Sequence, residues 1–361
     1  MRKSKLTMLA VALGLVSCAF AGCGSKKNET ATESTTEATT EATTEATTEE
    51  VTEVQHEGVY NDLTGEWVDR DEEYGRPISI MLNNISDAMP QCGVSQADII
   101  YEYTVEGGIT RLLGIFSDYS NIEKLGSVRS CRPYYVTTSM EYDAIYFHYG
   151  QSPQGEEILA SSGIDHVSGL DAEGNVAYYR ASDRVAPHNV FTNSDMIKAG
   201  IEYKDYSTEH SSSFESMFSF NEEVTTPEGG ETANKLSTPI SNYTSPWFEY
   251  NSEDGLYYRF QYGTEHVDGN TGEQLAFENV IIQFAHYTSI DDHDRQEIDL
   301  VGSGTGLYAS NGVIIPITWK KSSDYAQTKF YTEDGEELKL NPGKTWITVF
   351  ESNKSDSVTW E

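Results

Sequence analysis

Apolar positions first become regular after Arg76, where Pro77-Ile78-Ser79-Ile80-Met81-Leu82 reads as a first strand. A polar loop over 83–93 leads to Ile99-Ile100-Tyr101-Glu102-Tyr103-Thr104-Val105, the turn signal Glu106-Gly107-Gly108 and a returning run from Ile109 to Phe116. Those two runs predict a hairpin. Pro133 stands where a helix through Glu141 would begin, Ala144 to Tyr149 is a short aromatic strand, and Gly150-Gln151-Ser152-Pro153 opens a helix through Leu159. Asn193 or Ser194 caps a further helix from Asp195 to Tyr203. Beyond Trp247 the pattern changes. Turn signals at 251–255, 268–272, Asn311-Gly312, 333–335 and 341–343 separate runs such as Leu256 to Phe260, Val280 to Phe284 and Trp346 to Phe350, the spacing of an antiparallel sheet. The expected fold class is α+β, with a mixed N-terminal domain over 58–206, a Ser/Thr/Glu-rich connector over 207–245 and a mainly antiparallel, β-rich domain over 246–352.

The first 57 residues follow other rules. Residues 1–22 begin with Arg2, Lys3 and Lys5, continue through an apolar run and end in small residues before Cys23, which reads as a signal peptide. The apolar run is short for a span of about 20 residues. Phe20-Ala21-Gly22-Cys23 resembles a bacterial lipobox, so Cys23 is the expected acylated N-terminus, with Leu15-Val16-Ser17-Cys18 as the alternative. Residues 23–57 are a Thr/Glu/Ala tract in which TTEA recurs, poor in large apolar side chains and therefore expected to form a disordered tether. The protein is thus expected on the extracellular face of the membrane, held by lipid.

Charge narrows the partners. The chain of 361 residues has a formal net charge of −34, from 58 acidic against 24 basic side chains. Taking out the three leader cations, and the nine Glu against two Lys of the tether, leaves −30 on the folded part. As a whole such a protein repels the phosphates of nucleic acid, which argues against nucleic acid as a partner and makes any cluster of cations a local exception. Against that background, six of ten arginines fall between 76 and 184: Arg76, Arg111, Arg129, Arg132, Arg180 and Arg184.

Arg129-Ser130-Cys131-Arg132-Pro133 sets two guanidiniums just ahead of a predicted helix, whose N-terminus already favours an anion. His148 to Pro153, including Ser152, repeats a strand-to-helix junction, and Pro187-His188-Asn189 adds an imidazole and an amide. The expected ligand-binding set is Arg111, Arg129, Arg132, His148, Ser152, His188 and Asn189, directed at a carboxylate or phosphate on an envelope component, peptide or partner protein. Structural ion pairing with Glu102, Glu106, Glu141 and Asp143 is the competing explanation for the arginines. An enzymatic version makes His148 the general base with Glu102 or Glu106 beside it, acting as a hydrolase or transferase on cell-wall or phosphodiester substrates. No nucleophile elbow, Walker loop or His-Glu-x-x-His motif accompanies it. Cys92 and Cys131 are a disulfide candidate or two separate thiols, and alone they cannot build a zinc site. No metal or cofactor is assigned, although Asp268 to Gly272 and Asp291 to Asp294 offer oxygens to calcium without following an EF-hand loop.

The segments MPQCGVSQADIIYEYTVEGGITRLLGIF, LGSVRSCRPYY, YDAIYFHYGQSP and APHNVF, followed by GLYYRFQYG, NVIIQFAHY, IDLVGSGTG, ITWKK and LNPGKTWITVF, resemble the YerB-like lipoproteins of Gram-positive bacteria over residues 76–352. The resemblance implies an exported, membrane-anchored, two-domain protein and supplies no reaction. It also implies that Arg111, Arg129, Arg132, His148 and the Pro187-His188-Asn189 turn are signature positions, whereas the two cysteines are not.

Overall fold

The computed structural model describes residues 56–70 and 73–361. The leader, Cys18, Cys23 and the tether up to residue 55 lie outside the described residues. Among the described residues no helix is long and apolar enough to cross a membrane.

The main sheet follows from two kinds of strand. Runs such as Ile78–Asn83, Ile99–Thr104 and Thr110–Phe116 are apolar on both sides and are buried at nearly every position, as expected for strands covered on two faces. They occupy its middle. Reading across, the order is Glu231–Thr232, Val313–Lys321, Gly302–Ser310, Asn279–Ser289, Thr345–Glu351, Ile99–Thr104, Thr110–Phe116, Ile78–Asn83, Ile145–His148 and His166–Ser168. The sheet therefore runs without a break from the C-terminal region into the N-terminal one. The join is the strand Thr345–Glu351, which pairs in parallel with Asn279–Ser289 on one side and Ile99–Thr104 on the other. Those parallel ladders are exceptions in a C-terminal region that is otherwise largely antiparallel.

Alternation sends side chains to two cores. Ile80, Leu82, Ile100, Val280 and Trp346 face one side, with the helix Ser194–Tyr203 and a second sheet over it. Met81, Tyr101, Tyr103, Ile281 and Ile347 face the other, under the helices Pro133–Glu141 and Pro153–Ser162. The second sheet is built on Lys235–Ser237, Trp247–Asn251 and Leu256–Gln261, so residues of the 207–245 connector are part of the fold. Met217 and Phe218 from that connector are also buried.

Local signals behave as the sequence predicts. Asn193 accepts a hydrogen bond from Met196 N at 3.0 Å and caps its helix. Asn311 and Gly312 have φ of 48° and 76° and close the hairpin between Gly302–Ser310 and Val313–Lys321, a two-residue turn with both central residues in the left-handed region.

Candidate functional site

The arginine cluster is assembled from three neighbouring pieces of chain. Arg111 lies near the start of Thr110–Phe116, opposite Tyr103 and Asn83. Arg129 to Cys131 form an extended strip, pinned by Arg129 N to Met81 O at 3.0 Å, Tyr149 N to Arg129 O at 3.0 Å and Cys131 N to Gly150 O at 2.9 Å. Arg132 then takes an extended backbone and Pro133 starts the helix, which has no side-chain cap. A proline at that position loses no hydrogen bond, because the first turn has none to make.

One carboxylate serves two of the three cations. Arg132 Nε lies 2.5 Å from Glu106 Oε1 and Arg111 Nη2 lies 3.7 Å from Glu106 Oε2. Arg132 also donates to Cys131 O at 2.7 Å, and Arg111 to Ser130 O at 2.9 Å. Burial alone would raise the Glu106 carboxyl, but the hydrogen bond and charge of Arg132, then Arg111, outweigh it and hold it low. Burial likewise pulls on Arg132, and Glu106 outweighs that to raise it.

Arg129 has no such partner. Among the described residues it forms no ion pair, and its Nη1 donates only to Pro187 O at 3.3 Å. Burial, then the charges of Arg111 and Arg132, pull its pKa down to about 10. Arg111 is lowered as well, by burial first and Arg132 second. The Nε atoms of Arg111 and Arg129 and the hydroxyl of Tyr134 are buried and find no acceptor in the protein. Buried donors normally find partners, and these three lie beside an excess of positive charge. His188 belongs to this neighbourhood: its Nδ1 accepts from Asn83 Nδ2 at 2.8 Å, and burial and the charge of Arg129 lower its pKa.

The other expected site residues have structural work. His148 is fully buried, with Nδ1 2.9 Å from Gly150 O and Nε2 3.0 Å from His166 Nδ1. A carbonyl can only accept, so Nδ1 carries the proton and Nε2 receives one from His166. Burial, with the neighbouring His166, lowers His148 to about 4. Neither nitrogen is left to take a proton from a substrate. Neither Glu102 nor Glu106 is hydrogen-bonded to it, unlike the expected general-base arrangement. Glu102 instead faces Arg259 at 2.7 Å, both side chains wholly buried, and also accepts from Thr110 Oγ1 at 2.8 Å and Asn84 Nδ2 at 3.1 Å. Ser152 Oγ caps the helix Pro153–Ser162 by accepting from Gly155 N at 3.0 Å. Asn189 Oδ1 accepts from Arg180 at 2.8 Å.

Cys92 and Cys131 are both free and buried, not bridged. Cys92 pairs its backbone with Gly126, whereas Cys131 sits against Gln151 and Gly155, on separate supports. Burial pushes the Cys131 thiol up to about 12. In the two calcium candidates the carboxylates already serve as turn acceptors. Asp268 receives Gly93 N, Ser95 N, Ser95 Oγ and Asn270 N, and Asp291 receives His293 N, Arg295 N and the Arg295 guanidinium. No group of three or more His, Cys, Asp or Glu is placed to hold a metal ion among the described residues.

Sequence reasoning missed the buried network around Arg259. Its guanidinium lies 4.1 Å from the Trp346 ring centroid, and the network continues through His266, Gln91, Gln261 and Asn84. The signal was available in the alternation of Leu256–Gln261, which turns Tyr257, Arg259 and Gln261 inward together.

Comparison with known proteins agrees with this architecture. Residues 63–207 match the model described as "Protein of unknown function (DUF3048) N-terminal domain", and residues 236–347 match its C-terminal domain. The chain is 33% identical over 288 residues to "Putative lipoprotein YerB" of Bacillus subtilis strain 168, covering 80% of this chain and 85% of that one. The crystal structure of YerB protein from Bacillus subtilis superposes with a TM-score of 0.73 at 31% identity, covering 84% of this chain and 99% of that one. With both halves matched in order and a solved relative sharing the fold, the chain belongs to the YerB-like family of two-part DUF3048 proteins.

Proposed function

We propose that this is an exported protein, anchored outside the cell by a lipid on Cys23 (Cys18 in the alternative), that binds an anionic envelope ligand through Arg111, Arg129 and Arg132. The observation that carries the reading is Arg129: a half-buried guanidinium without a carboxylate, in a protein of net charge −34, next to two more arginines that share one glutamate. Arg111 Nε, Arg129 Nε and the Tyr134 hydroxyl are buried donors there without an acceptor in the protein. The connector and the C-terminal domain both reach the Glu106 turn, through Ser241 to Gly108 O at 2.5 Å and Asp294 to Gly107 N at 3.1 Å, so they flank the same place.

The test is a melting experiment on the full chain in detergent micelles with inorganic phosphate or acetate. Saturating ligand stabilises the native state by mass action, roughly 2.7 kcal/mol at a hundred times Kd, a rise of several degrees. The rise should vanish in Arg129→Gln. If neither anion moves the wild-type melting temperature, the reading is wrong.

A further inference from the structure

Nine of the ten arginines lie among the described residues, and six of them face carboxylates: Arg70, Arg76, Arg111, Arg132, Arg259 and Arg295. The remaining three, Arg129, Arg180 and Arg184, form no ion pair among those residues: Arg184 lies within the segment 180–189, Arg180 begins it, and Arg129 reaches it at Pro187. With 58 acidic side chains to choose from, three unpaired arginines at one place are a local feature that general charge balance does not produce.

Each is fixed by neutral acceptors. Arg129 donates to Pro187 O at 3.3 Å, Arg180 to Asn189 Oδ1 at 2.8 Å, and Arg184 to Ala88 O at 3.0 Å and Pro90 O at 2.8 Å. Their positions are set without a carboxylate in contact, although the charge of Arg184 still reaches its neighbour Asp183. Val190 lies between Val128, the neighbour of Arg129, and Arg180: Val128 N donates to its carbonyl on one side and Arg180 is opposite it on the other. Two strand spacings therefore separate the Val128 and Arg180 backbones, about 10 Å. The acids nearby are Asp183, which is bound to Lys124 at 3.1 Å and also feels Arg184, Glu123, whose charge reaches Tyr179, Asp87, whose charge reaches His188, and Glu106.

We infer that Arg129, Arg180 and Arg184 form a strip that recognises a base-free phosphodiester polymer, an inference that rests on the anion site proposed above. Separated, pre-positioned guanidinium forks suit an anion that repeats along a chain, and arginine matches phosphate geometry closely. Nucleic acid needs open aromatic faces to stack its bases, but Tyr149 is covered by Arg180 and Tyr178, and Phe191 by Lys124. An acidic peptide would gain from pairing with a strand edge, yet the edge strand here, Tyr179–Arg180, is two residues long.

The test measures binding of the full chain in detergent micelles to poly(glycerol phosphate), poly-L-glutamate and single-stranded DNA of matched charge. Poly(glycerol phosphate) should bind at least about tenfold more tightly than the others. In the Arg129→Gln, Arg180→Gln, Arg184→Gln variant, with its melting temperature unchanged, that binding should weaken at least about tenfold and its log–log salt slope should flatten by about two. The same triple change to Lys should restore the slope but only part of the affinity. Equal binding of poly-L-glutamate or DNA overturns the phosphodiester assignment. Polymer binding unaffected by the variant overturns the strip. If the polymer fails to bind while inorganic phosphate still raises the melting temperature, the strip falls and the inner anion site stands; if neither acts, both fall.

Discussion

Glu102→Gln should be among the costliest isosteric changes in this protein. The carboxylate and Arg259 are both 0% exposed and 2.7 Å apart. Without the negative charge, Arg259 keeps a 3.4 Å contact to Phe260 O, His266 at 3.5 Å and the ring faces of Trp346 and Phe248, and its Nε has no partner at all. Stranding one half of a buried pair costs about 3–5 kcal/mol. The amide keeps acceptors for Thr110 and Asn84, so the lower end applies, about 3 kcal/mol. With a urea slope of about 3 kcal/mol/M for a chain of this size, the midpoint should fall by about 1 M. Equilibrium urea unfolding followed by tryptophan fluorescence reads this directly, since Trp346 packs on Arg259. The double variant Glu102→Leu, Arg259→Met leaves no stranded charge and should be less destabilised than either single change. A loss below about 1 kcal/mol in Glu102→Gln would refute the reasoning, because a pair that cheap to break is not desolvated.

Three further outcomes are expected. His148 has its folded pKa at about 4 against an ordinary 6.5, so its neutral form stabilises the fold above pH 6.5; that stability should drain away as pH falls from 6.5 through 4, by about 3 kcal/mol, and acid titration of unfolding should show a shallower slope in His148→Phe. Arg132→Ala should cost about 2–3 kcal/mol by leaving Glu106 with only the longer Arg111 contact, whereas Arg129→Gln should leave thermal stability unchanged or raised, because it removes a buried donor without an acceptor; equal losses in both would contradict the assignment of Arg129 as the unpaired cation. A thiol reagent should find neither Cys92 nor Cys131 in the native protein and both in urea without reductant, and an unreactive pair in urea would mean a disulfide.

How far the sequence carries depends on how local the cause is. Pro133, Asn193 and Asn311-Gly312 act on their own neighbours, and the helix start, cap and hairpin they predict are present. The gathering of Arg111, Arg129 and Arg132 was legible because two of them precede a proline that must begin a helix, and the third starts a strand in the adjoining hairpin. The role of His148 was not legible: its partner His166 is supplied by the next strand, and nothing near 148 encodes that neighbour. Parallel ladders leave still less trace. Thr345–Glu351 looked like one more member of an antiparallel set, although burial on both faces is encoded in its unbroken run Trp346-Ile347-Thr348-Val349-Phe350, the composition of a central strand.

That strand has a consequence for how the protein is made. A chain made N-terminus first presents Ile99–Thr104 early, with one side of its backbone waiting for a partner that lies near the opposite end of the molecule. Until Thr345–Glu351 arrives, the N-terminal half is an open sheet with an apolar, unprotected edge, the kind of surface that pairs with the wrong chain. Folding therefore cannot proceed piece by piece across the 207–245 connector. Any product truncated before residue 345 should be insoluble or degraded.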